Sequence, residues 1–106
     1  MASDIYNIKF TPKANDDLEE IFYYIATKLF ADEAAVKLLD NIETSINRLA
    51  KFPLSCEYVS DKHLNSRGYR KLLVDNYIVF YLINEEEKQI VIMRILYGAS
   101  NYKDIL

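Results

Sequence analysis

Seven consecutive apolar or aromatic residues, Tyr77-Ile78-Val79-Phe80-Tyr81-Leu82-Ile83, constrain this chain more than any other feature. The run lies between the turn-prone pair Asp75-Asn76 and the acidic stretch Asn84 to Lys88, which marks it as a strand. Because it is apolar on both faces, it has to be central in a sheet and covered on both sides. Helices would cover one side, and what covers the other bears on function.

Apolar runs also flank both turns. Arg70 to Val74 precedes Asp75-Asn76, and Gln89 to Tyr97 follows Lys88, so the second half of the chain is predicted to form a three-stranded antiparallel meander. Near the N-terminus Tyr6, Ile8 and Phe10 alternate with Asn7 and Lys9, the period of a short strand with one buried face.

Between these strands the period changes to that of a helix. Thr11 can cap a helix that opens with Pro12, and Asp16, Asp17, Glu19 and Glu20 place negative charge in the early turns, where the helix dipole favours it. Apolar residues at 14, 18, 21, 22, 25 and 29 form one face. A second helix is expected with Asp32 as its cap and Ala35, Leu38, Leu39, Ile42, Ile46 and Leu49 on one side, ending at Phe52-Pro53. The short link from Phe30 to Asp32 makes the pair an antiparallel hairpin whose apolar faces need a sheet. Leu54 to Gly68 has no clean period and reads as a long loop or a weak edge strand.

The fold class that follows is α+β: an N-terminal strand, then a two-helix hairpin packed on a mainly antiparallel sheet of about four strands. The 106 residues, 51% apolar, suffice for one core and one domain, residues 1–106. Met1-Ala2-Ser3-Asp4 has no signal-peptide character and no window approaches the ~18 apolar residues of a membrane span, so the cytoplasm is the expected location and no membrane partner is expected. Cys56 is the sole cysteine, which excludes an internal disulfide and a cysteine metal framework, and packing is its plainer role.

A net charge of −3 is the wrong sign for a protein that depends on nucleic acid for its binding. The average conceals a local exception, since Lys62, His63, Arg67, Arg70 and Lys71 fall close together with only Asp61 to oppose them. No glycine-rich phosphate loop, paired histidines, serine elbow or metal spacing occurs, so no metal and no small-molecule cofactor are expected. Candidate chemistry rests on scattered residues, chiefly Arg67, Arg70, Lys71 and Arg94. An arginine in an apolar strand must reach solvent, a carboxylate or a phosphate, and for Arg94 a salt bridge and a binding role stand side by side. His63 suits acid–base work by its intrinsic pKa, with a surface histidine as the plainer reading. Tyr6, Tyr23, Tyr24, Tyr77 and Tyr81 read as core or rim, whereas Tyr97 and Tyr102 lie clear of the main apolar pattern.

Three stretches carry a resemblance. Phe10-Thr11-Pro12-Lys13-Ala14-Asn15-Asp16-Asp17-Leu18, then Phe52-Pro53 with Gly68-Tyr69-Arg70-Lys71-Leu72 and Tyr77-Ile78-Val79-Phe80-Tyr81, and finally Ile92-Met93-Arg94-Ile95-Leu96-Tyr97-Gly98 are similar in order and spacing to the RelE/ParE superfamily. These are bacterial toxins, the toxic halves of type II toxin–antitoxin operons. The resemblance implies a cognate antitoxin that wraps the sheet and hairpin and covers the apolar side left open by the central strand. It also implies one of two targets: messenger RNA cleaved on the ribosome, with basic residues stabilising the phosphorane, or DNA gyrase.

Carried over position by position, Arg70 matches a basic position on the nuclease sheet and Arg94 the arginine of the last strand. Ile78 stands where nucleases often have an arginine, Tyr97 where they have a histidine before the glycine, and Ala99, Ser100 and Asn101 where basic and acidic residues commonly follow it. The resemblance therefore points to Arg70, Arg94 and Tyr97 as catalytic and to Arg67, Lys71 and Tyr102 as target-binding. Each lost donor removes about 3 kcal/mol of transition-state stabilisation, so the reading leans to a gyrase-directed or other non-nuclease toxin. A ribosome-dependent mRNA endoribonuclease is the alternative, and a non-toxic protein-binding module on the same fold is an alternative of another class.

Overall fold

A computed structural model describes residues 5–99 and 102–106. The elements are β1 (Asn7–Phe10), α1 (Pro12–Tyr23) continued by one π-helical turn (Tyr24–Lys28), α2 (Asp32–Leu49), α3 (Lys62–Ser66), β2 (Arg70–Val74), β3 (Tyr77–Asn84), β4 (Gln89–Tyr97) and α4 (Tyr102–Ile105). The sheet order is β1-β4-β3-β2. β2, β3 and β4 form the expected antiparallel meander, and β1 joins the far side of β4 in parallel. The sheet thus has two interior strands, β3 and β4.

Thr11 starts α1 as its composition suggests. Its backbone is extended, Pro12 follows at the first helical position, and its Oγ1 accepts the Ala14 N–H at 3.1 Å. The same hydroxyl donates to the Met93 carbonyl at 2.9 Å, so the cap also fastens α1 to β4. The hairpin reverses at Phe30, whose φ of 50° is left-handed and which is 90% exposed. Ala31, and not Asp32, occupies the cap position of α2 and gives no side-chain cap. The chain reaches helical geometry one residue sooner than the cap reading required, which leaves Asp32 and Glu33 as first-turn charges acting on the dipole.

The stretch 54–68 contains a helix that the absence of a period had hidden. Asp61 caps α3 by accepting the Leu64 N–H at 3.2 Å. Gly68, at φ 85°, ends it, with Gly68 N–H donating to the Asn65 carbonyl and Tyr69 N–H to the Leu64 carbonyl. This is the bonding pattern in which a left-handed residue closes a helix and glycine avoids the Cβ clash. The weak edge strand survives only as a single bridge between Tyr58 and Arg70.

Two cores sandwich the sheet. Ala14, Leu38, Ile42, Ile46 and Leu49 of the hairpin pack on Val79, Tyr81, Ile90, Ile92 and Ile95. On the opposite face Val59, Leu64, Tyr69, Phe80 and Leu96 form a second cluster, with Tyr102 and Leu106 packed against it. The expectation that an antitoxin covers this face is corrected here. The chain covers it itself, because α3 and α4 supply the apolar side chains that a strand apolar on both faces requires. Among the described residues no helix is long and apolar enough to cross a membrane.

Candidate functional site

β1 ends at Phe10 opposite Ile92, yet β4 continues to Tyr97. The register of β3 on β4 shifts between Phe80 and Tyr81, so that Met93 is an extra residue in β4, and such a bulge re-aims the side chains beside it. Side chains of the α1 segment take over from the missing strand. After Thr11, Asp17 accepts the Ile95 N–H at 2.9 Å and receives both Nε and Nη2 of Arg94 at 2.8 and 2.9 Å. The side chains of Arg94 and Asp17 are 19% and 8% exposed.

Asp17 was grouped with the helix-dipole charges, and the structure corrects that role. A legible signal existed: Asp17 lies three residues after Ala14 and four before Ile21, on the apolar stripe and not beside it. A carboxylate there has to be paired to be buried, and Arg94 is the cation opposite. Asp17's hydrogen bonds hold the Arg94 pKa above its ordinary value, against the opposing effect of burial and with a further contribution from Glu20. A guanidinium held this way cannot offer Nε and Nη2 to a phosphate unless the pair breaks.

Tyr97, exposed at the end of β4, meets Tyr77 edge-on at 5.7 Å between ring centroids. Burial raises the Tyr77 pKa, and the phenols of Tyr97 and Tyr24 add to it. These rings border an open groove of about 1100 Å³ between the hairpin and the end of β4, which Ile21, Ile25 and Leu38 also line and whose carboxylates are Asp17, Glu20 and Asp75. A second apolar groove, about 720 Å³, lies between β1 and the two helices, where Ile8, Phe10, Leu18, Phe22 and Leu39 line it.

Arg70 belongs to a different corner. Its Nη1 donates to the Cys56 carbonyl at 2.6 Å and its guanidinium stacks over the Tyr58 ring at 4.0 Å. Beside it Tyr81 donates its hydroxyl to the Pro53 carbonyl at 3.2 Å. Burial, then the Cys56 thiol alongside, pushes the Tyr81 pKa well up. Arg67 is exposed and lies 5.2 Å from the Tyr69 ring centroid, and the half-buried Lys71 stands opposite Phe80 in the register.

The candidate residues are therefore not gathered into one centre. Arg70 is on β2 and Arg94 on β4, with β3 between them, a separation of about 10 Å from strand spacing alone. Tyr102 stacks on Phe80 at 5.0 Å in the second core, across the sheet from Tyr97. Among the described residues no three metal-ligating side chains come together.

The chain is thus a four-stranded sheet in the order β1-β4-β3-β2 under a helical hairpin, with basic side chains on β2 and β4. Residues 8–102 match the family model described as the ParE toxin of the type II toxin–antitoxin system parDE, and the chain belongs to that family. Among solved structures it is similar to the chromosomal ParDE system from P. aeruginosa, at 23% identity and TM-score 0.69 over 90% of this chain and 98% of that one. It is also similar to a RelBE toxin–antitoxin complex from Mycobacterium tuberculosis, at 23% identity and TM-score 0.60 over 88% and 98%. YafQ from E. coli follows at 18% identity and TM-score 0.54 over 89% and 94%. At these identities the likeness is one of fold. No curated protein matches the sequence.

Proposed function

We propose that this chain arrests bacterial growth from the cytoplasm when free of a cognate antitoxin, and that its target is DNA gyrase or another protein and not translated messenger RNA. The observation that carries the choice of target is the pairing of Arg94 with Asp17. Phosphoryl transfer without a metal needs cations aimed at the charge that develops, and each such donor is worth about 3 kcal/mol. Here Arg94 serves a carboxylate, Arg70 serves the Cys56 carbonyl, and Ile78 and Tyr97 stand where the nuclease pattern has a cation or a histidine. Membership of the ParE toxin family supports the gyrase reading and the antitoxin partner, and two of the similar structures are by their own descriptions toxin–antitoxin systems.

The ribonuclease reading draws on one observation, the exposed Lys62, His63 and Arg67 on and just after α3, a local basic surface on an acidic protein. The two share a first test. The chain is induced alone in a bacterium, then together with the small protein encoded beside it. Arrest relieved by the neighbour is expected. Normal growth under full expression of the folded chain would contradict toxicity and favour a protein-binding module.

A further inference from the structure

The sheet divides the charge of this chain. Residues 12–49, which form the hairpin, carry eight acidic and four basic side chains, whereas residues 61–71, with α3 and the start of β2, carry four basic and one acidic. The hairpin packs on Val79, Tyr81 and Ile92, and Leu64 of α3 packs with Phe80 on the opposite face. At about 100° per helical residue, Lys62, His63, Ser66 and Arg67 fall on the side of α3 turned away from the buried Leu64, and all four are exposed. Lys71 shares that face of the sheet, because it stands opposite Phe80 in the register and paired residues point the same way. Among the described residues Lys62, Arg67 and Lys71 have no ion-pair partner, in contrast to Arg94. Asp61, the acidic residue of the segment, is engaged as the helix cap.

We propose that this face rests on the phosphate backbone of duplex DNA, with Lys62, Arg67 and Lys71 against neighbouring phosphates. A patch of three cations on a chain of net charge −3 attracts a ligand of very high charge density, and a duplex carries one negative charge per about 1.7 Å of its axis. Neither an acidic protein surface nor a single strand matches that. A single strand is also held by aromatic rings on which its bases stack; here Tyr69 is buried beside Arg67 and Tyr58 already carries the Arg70 guanidinium on its ring. The acidic hairpin on the far face turns away from the DNA and orients the molecule. Contacts of this kind position a protein without reading sequence. The inference rests on the gyrase reading for where the DNA is met, namely the segment that gyrase holds, and it adds that DNA to the target.

The test measures binding of the full chain to a fluorescent 20-base-pair duplex of arbitrary sequence, against single-stranded RNA of equal length and polyglutamate. Two to three phosphate contacts predict a slope of about −2 to −3 in log affinity against log salt, a loss of about 10- to 40-fold between 50 and 200 mM. Lys62→Ala with Arg67→Ala should bring the slope to about −1 or less. Lys28→Ala with Lys37→Ala, exposed on the hairpin side, lowers the net charge equally and should leave affinity within about twofold. Should the α3 pair fail to fold, Lys62→Ala alone, which should lower the slope by about 1, decides. Equal losses from the two pairs, or tighter binding to the RNA or to polyglutamate, would overturn the inference. DNA breakage is then followed in cells expressing each form. Severalfold fewer gyrase-linked breaks with the α3 pair are expected; no binding to the duplex, with breakage undiminished in that pair, would overturn the inference while the gyrase reading stands. Duplex binding through α3 without any gyrase-linked breaks would uphold the contact and overturn the gyrase reading.

Discussion

The Asp17 carboxylate receives Nε and Nη2 of Arg94 at 2.8 and 2.9 Å and the Ile95 N–H at 2.9 Å, from a position on α1 that is 77 residues away from Arg94 in sequence. One side chain thereby does two things: it substitutes for strand pairing where β1 has ended, and it fixes the only cation on β4. Removing Asp17 leaves a mostly buried guanidinium and a strand N–H without partners.

Asp17→Ala is therefore expected to lower stability by about 2–4 kcal/mol in urea unfolding. The same change in an Arg94→Ala background should cost clearly less, because the charge it strands is already gone. Equal costs in the two backgrounds would mean that the pair is not coupled.

Alkaline pH probes the other corner. An unfolded tyrosine loses its proton near its ordinary value of 10.0, whereas Tyr81 in the fold keeps it to higher pH, as Tyr77 does. Above that pH the unfolded state binds fewer protons than the native one, so stability is level below about pH 9 and falls as pH rises past about 10. Tyr81→Phe should make the fall shallower by about one proton. Parallel curves for the two proteins would contradict the burial of that hydroxyl.

Much of the architecture was legible because it follows from local patterns. The Asp75-Asn76 turn, the doubly apolar β3, Thr11 before Pro12 and the helical stripe each identify their element without help from the rest of the chain. What escaped depends on contacts between distant residues. The parallel docking of β1 on β4 leaves no mark on either strand, and α3 is too short for a period, though Asp61 and Gly68 bracket it. The pairing of Asp17 with Arg94 was half visible, as a carboxylate on an apolar stripe and an arginine in an apolar strand. Tyr102 seemed free of the core pattern because the surface it covers, Phe80, lies 22 residues earlier in the sequence.

That placement of Tyr102 has a direct consequence. Tyr102→Ala uncovers Phe80 and is expected to destabilise the chain by about 1–3 kcal/mol and to raise binding of a hydrophobic dye. Phe80→Ala, deep in the same cluster, should cost about 3–5 kcal/mol. If Tyr102→Ala abolished toxicity with stability and dye binding unchanged, its role would be contact with the target and not packing.

Arg70 ties the loop that carries Cys56 to β2. Arg70→Ala removes the bond to the Cys56 carbonyl and the stacking on Tyr58, so Cys56, half-buried in the native fold, should react severalfold faster with a thiol reagent. Arg70→Lys, which has no planar fork, should fall between the two. An unaltered rate in Arg70→Ala would show that the loop is held by other contacts.

The central claim is that Arg70 and Arg94, the two arginines on the sheet, are committed to its structure, so that toxicity does not proceed through messenger RNA. The most direct measurement maps messenger 5′ ends after the chain is induced without its antitoxin, with DNA breakage followed in the same culture. Arrest with intact messages, accompanied by DNA breaks if gyrase is the target, is the expected result. Rapid cleavage of translated messages within their reading frames would contradict the account and make the chain a ribonuclease despite the pairing of Arg94 with Asp17.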